Sequence, residues 1–242
     1  MVESSLHNIR SGMASLQDEI VACELCPRLR RHCIEIAEIK RRAFREWTYW
    51  GRPVPSFGDP SARLLILGLA PAAHGANRTG RVFTGDRSGD LLYRVLHQNG
   101  FASQPESRDR NDGLRLRDAW ISAVAHCAPP DNKPAREEIL NCRPFLHREL
   151  DLLADLQVVV ALGHIAFDSY LSVLQERGAI GSRAQFRFGH NQAHSTGSGH
   201  PLLLASYHPS QQNTSTGRLT EAMLAAVFVR AASEIHPVFS AV

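Results

Sequence analysis

With 242 residues, 43% of them hydrophobic and 21% charged, the chain is long enough to bury one sizeable core and has the composition of an ordinary globular protein. A net charge of +3 admits nucleic acid as a partner without arguing for it, and no apolar run reaches the roughly 20 residues of a bilayer span. The start, MVESSLHNIRSG, lacks both regions of a signal peptide, so a cytoplasmic protein with no membrane partner and five reduced cysteines is expected.

Residues 15–26 read as a short helix running into a C-x-x-C, Cys23 and Cys26, followed by Pro27. Residues 40–60, KRRAFREWTYWGRPVPSFGDP, are basic, then aromatic, then rich in proline and glycine, which suits a packed loop or a partner surface. Residues 64–69 form an apolar run with the length of a buried parallel strand, which breaks into a loop punctuated by Gly75, Gly80 and Gly85. Ser88 is placed to cap the next helix, whose Leu91, Leu92, Val95 and Leu96 share one face and which stops at Gly100.

Residues 102–115 have the composition of an exposed loop, and 120–124 resume a strand that leads to His126 and Cys127. Pro144 divides 137–141 from 145–156, so two helical pieces are expected with Cys142 at their joint. Residues 158–162 form a third strand, followed by a helix through Ala166, Tyr170 and Leu174. Residues 177–198 are polar and aperiodic. A fourth strand at 202–206 leads to the loop YHPSQQNTSTGR and a last helix over 219–233.

Four apolar strands alternating with helices imply a single three-layer α/β/α domain over 1–242, with a central, mainly parallel four-stranded sheet. Residues 1–60 would add the N-terminal helix, the C-x-x-C and the basic, aromatic loop to a core at 61–235. In open α/β sheets ligands bind beyond the carboxyl ends of the strands, where this chain gathers His74, Asn77, Arg78, Arg81, Phe83, Asp86 and His208. The first loop has neither the Walker ending nor the dinucleotide spacing, so taken alone it fits a generic turn as well as a site. Cys23, Cys26, Cys127 and Cys142 could close one tetrahedral site. Zinc and an iron-sulfur cluster both accept four thiolates, and buried hydrophobic cysteines are the other reading. Cys33 is left over.

Together GLAPAAHGANRTGRVFTGD at 68–86, the four cysteines, CAPPDNKP at 127–134 and HPSQQNTSTGRLT at 208–220 resemble the uracil-DNA glycosylase superfamily, specifically its type B, or family 5, branch. The resemblance covers the chain from Cys23 to Thr220. It implies a monomeric DNA repair enzyme that flips uracil and other deaminated or damaged bases, hypoxanthine and ethenocytosine among them, out of single- or double-stranded DNA. It further implies hydrolysis of the N-glycosidic bond and a structural 4Fe-4S cluster held by Cys23, Cys26, Cys127 and Cys142.

Such a reaction needs negative charge near a developing oxocarbenium sugar, a donor toward the departing base and a placed water. Asp86 and His208 match the family's catalytic positions, although a carboxylate beside Ser88 also suits a helix N-terminus. Phe83 matches the stacking residue. Ala70, Ala72, Ala73, His74, Asn77 and Ala123 would line the base site, and Ser210, Gln211, Gln212, Asn213 and Arg218 would meet DNA. There are two departures from relatives. Leu69 stands where family 4 enzymes have an acid, and Ala123 stands where many relatives carry a base-reading asparagine. A non-catalytic iron-sulfur DNA-binding or redox protein on the same fold is the alternative, but it would have no use for Asp86 and His208 converging on one pocket.

Overall fold

The computed structural model describes residues 2–236; Met1 and residues 237–242 of the expected domain lie outside them. In chain order run α1 (Val2–Val21), α2 (Pro27–Ile39), β1 (Phe57–Gly58), β2 (Leu64–Gly68), α3 (Ala76–Thr79), α4 (Arg87–Gln98) and β3 (Ala119–Ala123). Then come α5 (Arg136–Leu152), β4 (Val158–Leu162), α6 (His164–Glu176), β5 (Gln192–His194), β6 (Leu202–Ser206), α7 (Gln211–Ser215) and α8 (Glu221–Ile235).

The strand residues alternate between two cores. Leu64 and Ile66, Val158 and Val160, and Leu204 pack with α4 and α8, while Leu65 and Leu67, Val159 and Ala161, and Leu203 pack with α1, α5 and α6. Because both faces are covered, the four parallel strands carry no charged residue, and Ser122 and Ser206 are their only polar side chains, as a buried parallel sheet favours. The sheet order is β1-β3-β2-β4-β6-β5, with β3, β2, β4 and β6 parallel. The three-layer architecture matches the expectation, but the sheet has six strands rather than four. The additional pair, β1 and β5, are short antiparallel edges that pair through backbone and lack an apolar run.

Other elements depart from the sequence reading. The first helix is far longer than 15–26, and the reading missed α2, which has Pro27 at its first turn and buries Leu29 and Cys33. α5 runs unbroken through Pro144, with Cys142 inside it. Proline removes one amide donor there, at a cost of about 3 kcal/mol, but Leu140, whose carbonyl loses its partner, is exposed to water, and Cys142, Leu146 and Glu149 keep one buried stripe. The 102–115 loop is not simply exposed. Ser107 and Leu114 are buried, and Ala102 bridges Leu116. The loop after β6 contains the short α7, capped by Ser210, whose Oγ accepts from Asn213 N at 3.3 Å.

Candidate active site

The connection from β2 to α4 takes its shape from glycines that leave room for functional side chains. Phe83 lies over Gly68, where a Cβ would come within 2.7 Å of the ring. Gly89 lets its backbone abut the Phe83 carbonyl. Phe83 itself has φ 49°, a left-handed conformation that costs a side-chain-bearing residue of order 1–3 kcal/mol and persists because the surroundings enforce it. Asp86, rather than Ser88, caps α4. Its Oδ1 accepts from the amides of Ser88 at 2.9 Å and Gly89 at 3.1 Å. Its Oδ2 rests against Gly75, where any Cβ would collide with it. One carboxylate oxygen thus satisfies the helix end while the other stands apart from it.

Two arginines hold this loop. Arg78 lies over the rings of Phe44 and Trp47, 3.9 and 4.2 Å from their centroids, and donates to the carbonyls of His74 and Gly85. Phe44 and Trp47 of the basic, aromatic segment thus pack on this loop, while its Arg41, Arg42 and Arg45 stay exposed. Arg81 is buried, pairs with Asp112 at 2.5 Å, and donates to Ser107 Oγ and Thr84 Oγ1. The sequence reading did not foresee this clasp, because Ser107 and Asp112 sit more than 20 residues from Arg81.

Beyond the carboxyl ends of β2, β3 and β6 opens a cavity of about 540 Å3. Asp86, Phe83, Ala123 and His208 line it, together with Ala70, Ala72, Ser210, Gln211 and Gln212. The Phe83 and His208 rings stack with centroids 5.8 Å apart. Asn213 is not in the cavity wall but donates to the His208 carbonyl at 2.9 Å, fixing that residue's backbone. Burial pushes the His208 imidazole down to about 4 against the opposing pull of Asp86, so at neutral pH it is an uncharged hydrogen-bond donor. Asp131 and Asn132, at φ 54° and 56°, also line the cavity. The sequence offered only a turn between prolines as their signal.

Three expected base-site residues are placed elsewhere. Ala73 is not in the cavity lining. His74 Nδ1 pairs with the Tyr49 hydroxyl at 3.1 Å, and burial lowers its pKa. Asn77 is fully buried, donating to the carbonyls of Cys33 and Ala73, because α3 is a single turn pinned against α2. Arg218 lies over Tyr207, 4.7 Å from the ring centroid, beside an adjoining cavity.

The cysteines gather away from this cavity. Cys26 caps α2, and with Cys33 and Cys127 it lies in one buried cluster that includes Leu29 and Ala128. Burial pushes the Cys142 thiol up to about 12, and the charges of Cys26 and Cys23 add to that shift. Cys127 is raised by its hydrogen bond with Cys33 and then by burial. Among the described residues no three His, Cys, Asp or Glu side chains converge on a single-ion site. Cys142 feels the charges of Cys26 and Cys23, and Cys127 those of Cys33 and Cys142, so thiols from three chain segments share one neighbourhood that includes Cys33.

The model of the Uracil DNA glycosylase superfamily matches residues 55–231, which include both cavity loops. A type-5 uracil-DNA glycosylase of Mycobacterium bovis is 50% identical over 90% of this chain and 80% of its own length. One of Thermus thermophilus is 50% identical over 88% of this chain and 93% of its own, and one of Pyrobaculum aerophilum 41% identical over 95% and 96%. With the match running through the loops that place Asp86, Phe83 and His208, and relatives aligning over nearly the whole length, the chain belongs to the uracil-DNA glycosylase superfamily.

Proposed function

We propose that this DNA glycosylase flips uracil, and also hypoxanthine and ethenocytosine, into the cavity over β2 and leaves an abasic site. The observation that carries the reading is that Asp86 and His208 face one cavity, with Phe83 stacked against His208 as its apolar wall. A flipped base stacks on Phe83. As the C1′–N bond breaks, its electron pair leaves with the base, and the neutral His208 imidazole donates to the base oxygen that gains charge. The Asp86 oxygen not occupied by α4 faces the positive sugar and orients water, which forms the new C1′–O bond while its proton passes to the base.

Ala123 supports the wider substrate range. It presents a methyl to the cavity, and a methyl tests size without hydrogen-bonding a base edge, whereas a polar reader would reject bases that leave it unpaired. Single-turnover rates on uracil, hypoxanthine and ethenocytosine oligonucleotides test this. Measurable excision of all three, narrowed by Ala123→Asn, is expected, and a wild type confined to uracil would refute the range. For the cysteines, we read Cys23, Cys26, Cys127 and Cys142 as holders of a structural 4Fe-4S cluster, which would tie the start of α2, the segment after β3 and α5 together and take no part in base removal. Purified protein with about four irons per chain supports that assignment; about one zinc overturns it.

A further inference from the structure

A second cavity, of about 310 Å3, adjoins the first and shares Leu69 and His208 with it as a common wall. Its lining is mostly apolar and aromatic. Phe188 sits at its centre of contacts, with ring centroids 5.3 Å from His164 and 6.1 Å from Tyr207. Ile165, 42% exposed, adds an open apolar face beside them. Arg218 lies over Tyr207 at the edge, exposed to solvent. Nothing in the base-removal chemistry uses these groups.

We propose that this cavity is a second nucleobase subsite, which takes the base next to the flipped nucleotide on the same DNA strand. Flat apolar walls with one cation at the rim suit a neutral aromatic ring attached to a phosphate, because every base has a face to stack and the guanidinium meets the backbone charge. The position argues for the same strand. The two cavities have Leu69 and His208 in common as a wall, so they are direct neighbours, as consecutive nucleotides of one strand are and the two strands of a duplex are not. Single-stranded DNA should therefore fill the subsite more readily than duplex, whose neighbouring base must first unpair.

The inference rests on the glycosylase reading, so the test separates the two. Single-stranded oligonucleotides carry uracil with an abasic analogue at either its 5′ or its 3′ neighbour, and affinity is measured with a non-cleavable fluorinated deoxyuridine while excision is followed on the cleavable form. For wild type, removing the base at one of the two neighbours is expected to weaken binding about tenfold. Phe188→Leu, which keeps an apolar side chain but no ring, is expected to bind the intact and abasic oligonucleotides alike. If wild type and variant lose the same factor, or wild type excises uracil but ignores both neighbours, the subsite is overturned and the glycosylase reading stands. Should Phe188→Leu fail to fold, wild type supplies a second measurement. A photoreactive iodocytosine at the sensitive neighbour is expected to crosslink to Phe188, Tyr207 or His164, and a crosslink mapped elsewhere contradicts the proposal.

Discussion

The β2–α4 loop and the cysteine patch are held together in opposite ways. In the loop each functional group is fixed by other parts of the protein: Asp86 by two amides, Phe83 by the space over Gly68, Arg81 by Asp112. In the patch the thiols have mainly one another, the Ala128 carbonyl near Cys33 and the Asn141 amide near Cys26. The cavity is thus preorganised by polar contacts and close packing, whereas the patch gathers thiols, of which Cys127 and Cys142 are kept protonated by burial and by one another. Catalytic geometry and cluster chemistry should separate under mutation.

The largest effect expected is on the patch. On the proposed cluster assignment, Cys127→Ser should yield protein without iron and lower the melting temperature by about 10 °C or more, since binding to folded thiolates adds directly to folding free energy. Iron content and a thermal melt check this, and a wild type without iron, or a variant that keeps it, would contradict the assignment. The converse variant is Gly75→Ala, which forces the Asp86 carboxylate aside without touching the thiols. It should lower single-turnover excision roughly tenfold to a hundredfold, the scale of a displacement near 1 Å, while bound iron stays as in wild type. Equal loss of iron and activity would erase the distinction between the two regions.

The smallest effect separates, by pH, two groups that hold the cavity side of the molecule. His208 titrates near 4 in the folded chain and near 6.5 when unfolded, so on acidification the unfolded state takes up its proton first. The stability it contributes is whole above about pH 6.5 and is lost progressively between 6.5 and 4. At Asp112 burial works upward, but Arg81 and the amides of Leu114 and Arg108 prevail and bring it to about 2, so its contribution is lost only below about pH 4. Chemical denaturation across pH should show the first loss vanish in His208→Asn and persist in a variant of the Arg81–Asp112 pair.

What the sequence made legible follows the same division. The five-residue strands β2, β3, β4 and β6 were visible because burial on both faces demands largely apolar runs. β1 and β5 were not, since an edge strand of two or three residues needs only backbone partners. Pro144 pointed to a helix boundary, yet the buried stripe on either side outweighed one missing hydrogen bond. In the site, Asp86, Phe83 and His208 were recognisable from their motifs. The demand on Gly68 and Gly75, the inward turn of Asn77 and the clasp of Arg81 on Asp112 were not, because each depends on a neighbour remote in sequence.

Asp86 carries two duties, helix cap and carboxylate facing the cavity, and Asp86→Asn separates them most directly. Asparagine caps helices as well as aspartate, so α4 and the fold should survive while the charge is removed. Single-turnover excision from a uracil duplex, measured beside DNA affinity, is expected to fall about 100-fold or more while affinity changes only a few-fold, as for a group acting on charge present mainly in the transition state. Excision near the wild-type rate would contradict the catalytic assignment and leave Asp86 as a cap.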